Sequence, residues 1–393
     1  MKAEEKARRN YSRFNRRRSR SRRSLSRRLK VYLLPLLALV AAIGVGLLYL
    51  LPPEPVAVSG RLAGSTAASL ERTAALPPLN LPADDAPHGA GMEWWYYNGI
   101  LDAKTGGRYA FHVAVFVANG LIKHTVMHAA LTDLQTGKRY ASQNRTGGVP
   151  AGIGKDGTSG FDFRQEGWQV AASGPKHVLR ASFEGVSIAL DLTDARPAVA
   201  HRAAGSETPG LLDFGKSGIS YYYSRPRIAA VGEVSVAGKP VQVAGEVWFD
   251  HQWGDFNAIG FGWNWFALHL EDGSDVMLYE IFDGDGRKIM AAGTVSDAKG
   301  AVPLRPRDVE LIPVATWTSP KTKIAYVVEW KLKLPSGEFD IKPFFADGEF
   351  DSRETTANVY WEGPVKVTGS ASGEGFLELS GYDRLKPAPA GAR

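Results

Sequence analysis

The sequence predicts an all-β body carried behind one N-terminal transmembrane helix. Three observations predict it. An uncharged run of 21 residues, Val31 to Leu51, follows a strongly basic tail. After residue 90, short stretches rich in Val, Ile, Thr, Tyr and Trp recur between Asn-Gly, Asp-Gly and Gly-Asp turns. No amphipathic helix longer than about two turns is readable in that part of the chain.

The elements follow in order. Residues 1–30 hold fourteen Lys/Arg and two Glu, which leaves 33 basic against 39 acidic residues in the rest, although the whole chain carries +6. The basicity is therefore a local tail, and the body has no nucleic-acid signature. A helix over residues 31–51 rises about 1.5 Å per residue and spans a bilayer core of ~30 Å. The basic flank keeps residues 1–30 cytoplasmic and exports the body. The expectation is a single-pass signal-anchor in the inner (cytoplasmic) membrane, with the body periplasmic or extracellular and the bilayer as a partner; a cleaved signal peptide is the alternative. "SRRSL", Ser21 to Leu25, is only a faint twin-arginine match. The Pro- and Ala-rich residues 52–90 read as a semi-rigid linker. The absence of cysteine excludes disulfides, thiolate metal sites and thiol nucleophiles.

Strand patterns open with "YAFHVAVFVA" (Tyr109 to Ala118) and "HTVMHAALTDL" (His124 to Leu134), joined through Asn119-Gly120 as a hairpin. They continue through "VQVAGEVWFD", "DVMLYEIF", "NVYWEGPVKVTG" and "GFLELSGY". Many short antiparallel strands with tight turns point to barrels or sandwiches. An internal echo points to two units: Glu93 to Phe116 and Phe261 to Phe282 each read as aromatic cluster, strand, turn, strand. The expected units are residues 91–256 and 257–386, with a disordered tail at 387–393.

Two motifs concentrate the candidate chemistry, "EWWYY" at Glu93 to Tyr97 and "GEVWFDHQWGDF" at Gly245 to Phe256. Neighbours on a strand point to opposite faces, so Trp248 and Asp250 share one face, and His251 and Trp253 the other. Asp250 and His251 are thus not a preformed acid–base pair. His251 beside Trp253 could donate a proton to an alkene, with the indole sheltering the cation. The bland reading has Asp250 capping backbone NH groups and His251 satisfying a carbonyl. Glu93 sits among aromatics and must be paired or have a raised pKa; Trp94, Trp95 and Tyr96 are core aromatics or pocket wall. Glu280, beside Tyr279, is the second acid candidate. His124 and His128 share a face but lie ~13 Å apart, too far to share a metal; with His112 across the hairpin they could line a pocket. No metal site and no cofactor are expected. There is no G-x-S-x-G elbow and no P-loop.

Glu93, Trp94, Trp95, Tyr96 and Gly99, followed by Gly245, Trp248, Asp250, His251, Trp253 and Gly254, resemble the AttH-like / carotenoid 1,2-hydratase (CrtC-like) family, also labelled "predicted secreted hydrolase". The resemblance covers residues 88–385. It implies two tandem lipocalin-like (calycin) antiparallel β-barrels enclosing a hydrophobic ligand, a lipid or isoprenoid. Gln252 stands where many relatives carry Glu, which removes one carboxylate from hydratase-type acid chemistry. The leading expectation is a membrane-anchored protein that binds such a ligand in a barrel cavity. The alternative is an enzyme, a hydratase or a lipid hydrolase, using Glu93, Asp250, His251 and Glu280, with Trp94, Trp95, Tyr96, His112, His124, His128, Trp248, Trp253 and Tyr279 around the ligand.

Overall fold

A computed structural model describes residues 76–119, 123–148, 160–202, 208–214, 218–256 and 260–385, all within one compact unit spanning Leu62–Arg393. The expected membrane helix at 31–51 lies outside the described residues. Among the described residues no helix is long and apolar enough to cross a membrane.

The body is all-β. The first sheet holds β1 (Met92–Ala103), β2 (Arg108–Asn119), β3 (Lys123–Asp133), β4 (Arg139–Gly147), β5 (Phe161–Gln165), β6 (Trp168–Ser173), β7 (Lys176–Phe183), β8 (Val186–Asp194), β9 (Val199–Ala200), β10 (Leu211–Asp213), β11 (Gly218–Val236) and β12 (Lys239–Phe256). The second holds β13 (Gly262–Leu270), β14 (Asp275–Phe282), β15 (Lys288–Asp297), β16 (Gly300–Leu304), β17 (Glu310–Thr318), β18 (Ala325–Leu334), β19 (Gly337–Pro343), β20 (Glu349–Asp351), β21 (Val359–Gly369) and β22 (Gly373–Ser380). Both sheets curl into barrel-like units, and all pairings are antiparallel.

The two orders match. In the first sheet β1 lies between β2 and β12; in the second β13 lies between β14 and β22. Each unit thus pairs its opening strand with its own last strand. The internal echo of the sequence is the opening hairpin of each unit, β1–β2 and β13–β14. Two glycines of the motifs permit the tight β1–β12 pairing. A Cβ on Gly99 would come 2.7 Å from the carbonyl oxygen of Glu246, and one on Gly245 would come 2.3 Å from that of Ile100.

Three large apolar cores and a small fourth cluster of Ala130, Phe350 and Tyr360 result. Trp95, Tyr97, Phe111, Phe163, Tyr223 and Phe249 fill the first barrel. Phe266, Tyr326, Trp330, Trp361 and Leu377 fill the second. The third core is the seam where the outer faces of the opening strands meet: Tyr96, Tyr222, Trp248, Trp265, Tyr279 and Phe376. Charge locks the seam. Asp275, fully buried, takes Arg196 at 2.7 Å, Arg227 at 2.9 Å and His269 at 2.9 Å. Arg108 grips Glu374 through two bonds of 3.0 and 2.6 Å.

A ligand lumen inside a barrel was the expectation, and the structure corrects it. Buried bulky aromatics, Trp95, Tyr97, Phe163 and Phe249 among them, fill the lumen of the first barrel. A cavity lies in the seam instead.

Candidate active site

The period-two alternation of β12 builds the site. Trp248, Asp250 and Gln252 face the seam, while Phe249, His251 and Trp253 face the first barrel's interior. Asp250 is buried beneath donors: the Tyr222 phenol at 2.7 Å, the Trp248 indole at 2.7 Å, and the Ser224 hydroxyl. The Trp265 indole donates to the Tyr222 oxygen at 3.0 Å, extending the chain to β13. Burial pushes Asp250 up to about 6, against the pull of those three donors.

Two further carboxyls come from the second barrel. Glu362 on β21 and Glu378 on β22 are direct cross-strand partners, so their side chains leave the sheet on one face. Like charges in that position repel, and at least one carboxyl must hold a proton. Burial raises Glu378 to about 7; the Trp263 indole, 3.0 Å away, opposes the rise and Asp250 adds to it. Burial and then Glu378 hold Glu362 well above the usual carboxylate range. Glu362 accepts the Tyr96 phenol and lies 3.1 Å from His112 Nδ1. Burial keeps His112 far below its usual pKa, so its ring is neutral.

These groups surround a cavity of about 240 Å³. Trp94, Phe116, Phe256, Trp263, Trp265 and Tyr360 supply its apolar wall. Asp250, Gln252, Glu362 and Glu378 supply polar spots, with His128, Thr356, Asn358 and Arg384 also on the lining, the usual composition of a site for an apolar molecule that must be oriented. The Tyr279 hydroxyl is buried on this wall and has no hydrogen-bond partner among the described residues. His128, held neutral with a pKa of about 3 by burial, bonds Thr355 at 2.8 Å and Tyr360 at 3.1 Å.

The opposite faces of β1 and β12 make a second polar cluster inside the first barrel. Glu93 Oε1 lies 2.9 Å from His251 Nε2 and 2.8 Å from His88 Nδ1. Burial raises Glu93, but the two imidazoles more than offset it and hold the carboxyl ionised. Below them, Asp85 takes Arg225 through two bonds of 2.9 Å and the Tyr223 phenol. Arg225 also pairs with Asp194, which His177 approaches at 3.2 Å.

The sequence candidates therefore fall into separate places. Asp250, Trp94, Tyr96, His128 and Tyr279 line the seam cavity. Trp248 and His112 support it from behind, through Asp250 and Glu362. Glu93, His251, Trp95 and Trp253 lie in the first barrel. His124 meets Arg145 at 2.9 Å outside both clusters. Glu280 pairs with Lys288 and does not line the cavity; its neighbour Tyr279 turns inward instead. Sequence reasoning missed Glu362, Glu378, Trp263 and Trp265 as site residues. A signal was present for two of them: "YWEGP" and "FLELS" each set a Glu between apolar or aromatic neighbours.

Comparison with known proteins is consistent with this architecture. A family model described as AttH-like matches residues 72–382. A kievitone hydratase of Fusarium solani subsp. phaseoli is 26% identical over 212 residues, 51% of this chain and 59% of that protein's length. Among solved structures, an AttH of Nitrosomonas europaea superposes with a TM-score of 0.69 at 29% identity, over 78% of this chain and 97% of that one. The kievitone hydratase of Nectria haematococca superposes with a TM-score of 0.64 at 19% identity, over 78% of this chain and 94% of that one; at that identity the likeness is one of fold.

Proposed function

The chain belongs to the AttH-like family, and from that premise we propose that it is a hydratase-type enzyme adding water across a carbon–carbon double bond of an apolar, isoprenoid-like molecule held in the seam. One observation carries the reading: two carboxyls, Glu362 and Glu378, face each other in an aromatic cavity, where burial raises both, Glu378 to about 7. Protonating an alkene needs an acid poised near the working pH, in a dry site whose walls tolerate a cation. The similarity to a kievitone hydratase supports the same class.

The step balances as follows. Glu378 gives its proton to one alkene carbon; the π pair forms the new C–H bond and leaves a cation on the other carbon. The ring faces of Trp263, Trp265 and Trp94 stabilise that cation, as does the Asp250 carboxylate. Water adds to the cation, and its spare proton passes to the Glu378 carboxylate left by the first step, which restores the acid. The product is an alcohol. The Tyr279 hydroxyl is free to hold a polar group of the ligand.

The mainly apolar wall also favours a second reading, binding and carriage without turnover. A membrane anchor at 31–51 would keep either activity close to a store of apolar ligands. The test is to incubate the purified chain with kievitone and, separately, with geraniol, and to look for uptake of one water by mass spectrometry. Water uptake that disappears in Glu378→Gln supports the enzyme. Native mass spectra showing a retained apolar molecule without turnover support the carrier. Neither result from either probe sinks both readings.

A further inference from the structure

The geometry points to a divalent-metal site, of the kind zinc occupies, formed by His88, Glu93 and His251 at the end of the first barrel. It is independent of the seam and of the reaction proposed there. The three ligand atoms, two imidazole nitrogens and one carboxylate oxygen, lie within 4.8 Å of one another. Two His and one carboxylate are a standard donor set for zinc, which leaves a fourth position to water or another ligand. His88 is part-exposed, with 23% of its side chain accessible, so the cluster has a way in, while Glu93 and His251 are buried.

The surroundings orient these atoms as ligands. The His251 ring sits between the indoles of Trp95 and Trp253, at 4.5 and 4.6 Å between ring centres. Trp253 in turn stacks flat on His88 at 3.9 Å. Glu93 Oε2 accepts the backbone NH of His88 at 2.9 Å, which fixes the carboxylate. His251 Nδ1 lies 3.3 Å from the Tyr223 oxygen, and Tyr223 donates its phenolic proton to Asp85, itself gripped by Arg225. A metal-bound imidazole is held by such a chain from its far nitrogen.

Proton counting favours a cation over a plain hydrogen-bond cluster. If a neutral His251 donated from Nε2 to Glu93, its Nδ1 would have to accept from Tyr223. The only phenolic proton is committed to Asp85, so two lone pairs would face each other. With a metal at Nε2, the Nδ1–H donates to Tyr223 and every pair is satisfied. A charged imidazolium would also satisfy the pairs, and the test separates the two cases.

The ion would clasp the segment carrying Asp85 and His88 onto strands β1 and β12. The untagged full chain, stripped by chelator, is titrated with Zn²⁺ by calorimetry and with Co²⁺ by visible absorption. The expected result is one ion per chain, a visible Co²⁺ band, and a thermal midpoint that rises on binding. His88→Ala and Glu93→Gln are each expected to weaken binding by more than ~100-fold, beyond the loss an outer contact gives. His88→Ala alters a part-exposed side chain and carries the test alone if Glu93→Gln does not fold; circular dichroism reports that. No bound ion, or binding unchanged in His88→Ala, would overturn the proposal in favour of the imidazolium.

Discussion

Two clusters of polar groups grow from the same two strands, and they differ in compensation. Inside the first barrel each acid has a partner of opposite character: Asp85 and Asp194 have Arg225, and Glu93 has two imidazoles. In the seam, Asp250, Glu362 and Glu378 accept bonds from phenols, indoles and a hydroxyl, and among the described residues no cation pairs with their carboxylate oxygens; the imidazole that meets Glu362 is the neutral His112. Arg139 bonds the backbone oxygen of Glu362, and its charge opposes the rise of that carboxyl without pairing with it. Compensation holds Glu93 ionised and ties structure together; burial without a paired cation raises Glu378 and Glu362 and gives a proton to spend.

The strongest way to break this contrast is to remove the compensation. Arg225→Met would leave Asp85 and Asp194 buried without a counter-charge. The expected loss is about 3–5 kcal/mol of stability, read from the urea midpoint. A loss under about 1 kcal/mol would mean that the interior acids are not held by that guanidinium.

In the seam the counterpart substitution costs activity rather than stability. Glu378→Gln keeps shape and removes the proton. Turnover of whichever probe is hydrated is expected to fall by ~10²–10⁴-fold, while the thermal midpoint holds or rises. Unchanged turnover would pass the donor role to Glu362.

The third prediction concerns pH. A carboxyl whose folded pKa is raised contributes stability that is complete below its unfolded pKa and is lost as pH rises through the folded value. For Glu378 that window runs from 4.5 to about 7, and for Asp250 from 3.8 to about 6. The buried histidines act with the opposite sign: His128 and His201, both lowered to about 3 by burial, lose stability as pH falls below 6.5. Above pH 6.5 only the carboxyls still act. From these two carboxyls, stability is expected to fall by about 1 kcal/mol between pH 6.5 and 8, and less in Glu378→Gln. A flat or rising profile in that window would show that the seam acids are ionised throughout.

The sequence revealed the faces but not the partners. Alternation alone put Asp250 and His251 on opposite sides of β12, and the structure places them so. The paired opening hairpins were legible as an echo of tryptophans and turns. Glu362 and Glu378 were not: their opposition depends on the register of β21 with β22, which no local pattern carries. His88 was passed over as part of a Pro-rich stretch, because its meeting with His251 joins residues far apart in the chain. The filled first lumen was equally hidden, since the aromatics that plug a barrel and those that wall a pocket read alike.

Gln252 offers the smallest and most selective test. Its side chain lines the seam cavity and donates to the Ser220 hydroxyl at 2.9 Å. Gln252→Glu would restore the residue type the family resemblance led one to expect, and would add one more carboxyl to a place that already resists charge. If that carboxyl ionises, its field disfavours ionisation of Glu378, and the pH at which kcat/KM declines should move up by as much as about one unit. If it stays protonated, it becomes a second proton donor, and turnover should rise with no shift in the midpoint. Stability should drop by no more than about 1 kcal/mol, because Ser220 keeps its bonds to the carbonyls of Tyr221 and Trp253. A variant with neither a moved midpoint nor altered turnover would place Gln252 outside the electrostatic unit formed by Asp250 and Glu378, and the contrast between seam and barrel would then rest on the carboxyls of the second barrel alone.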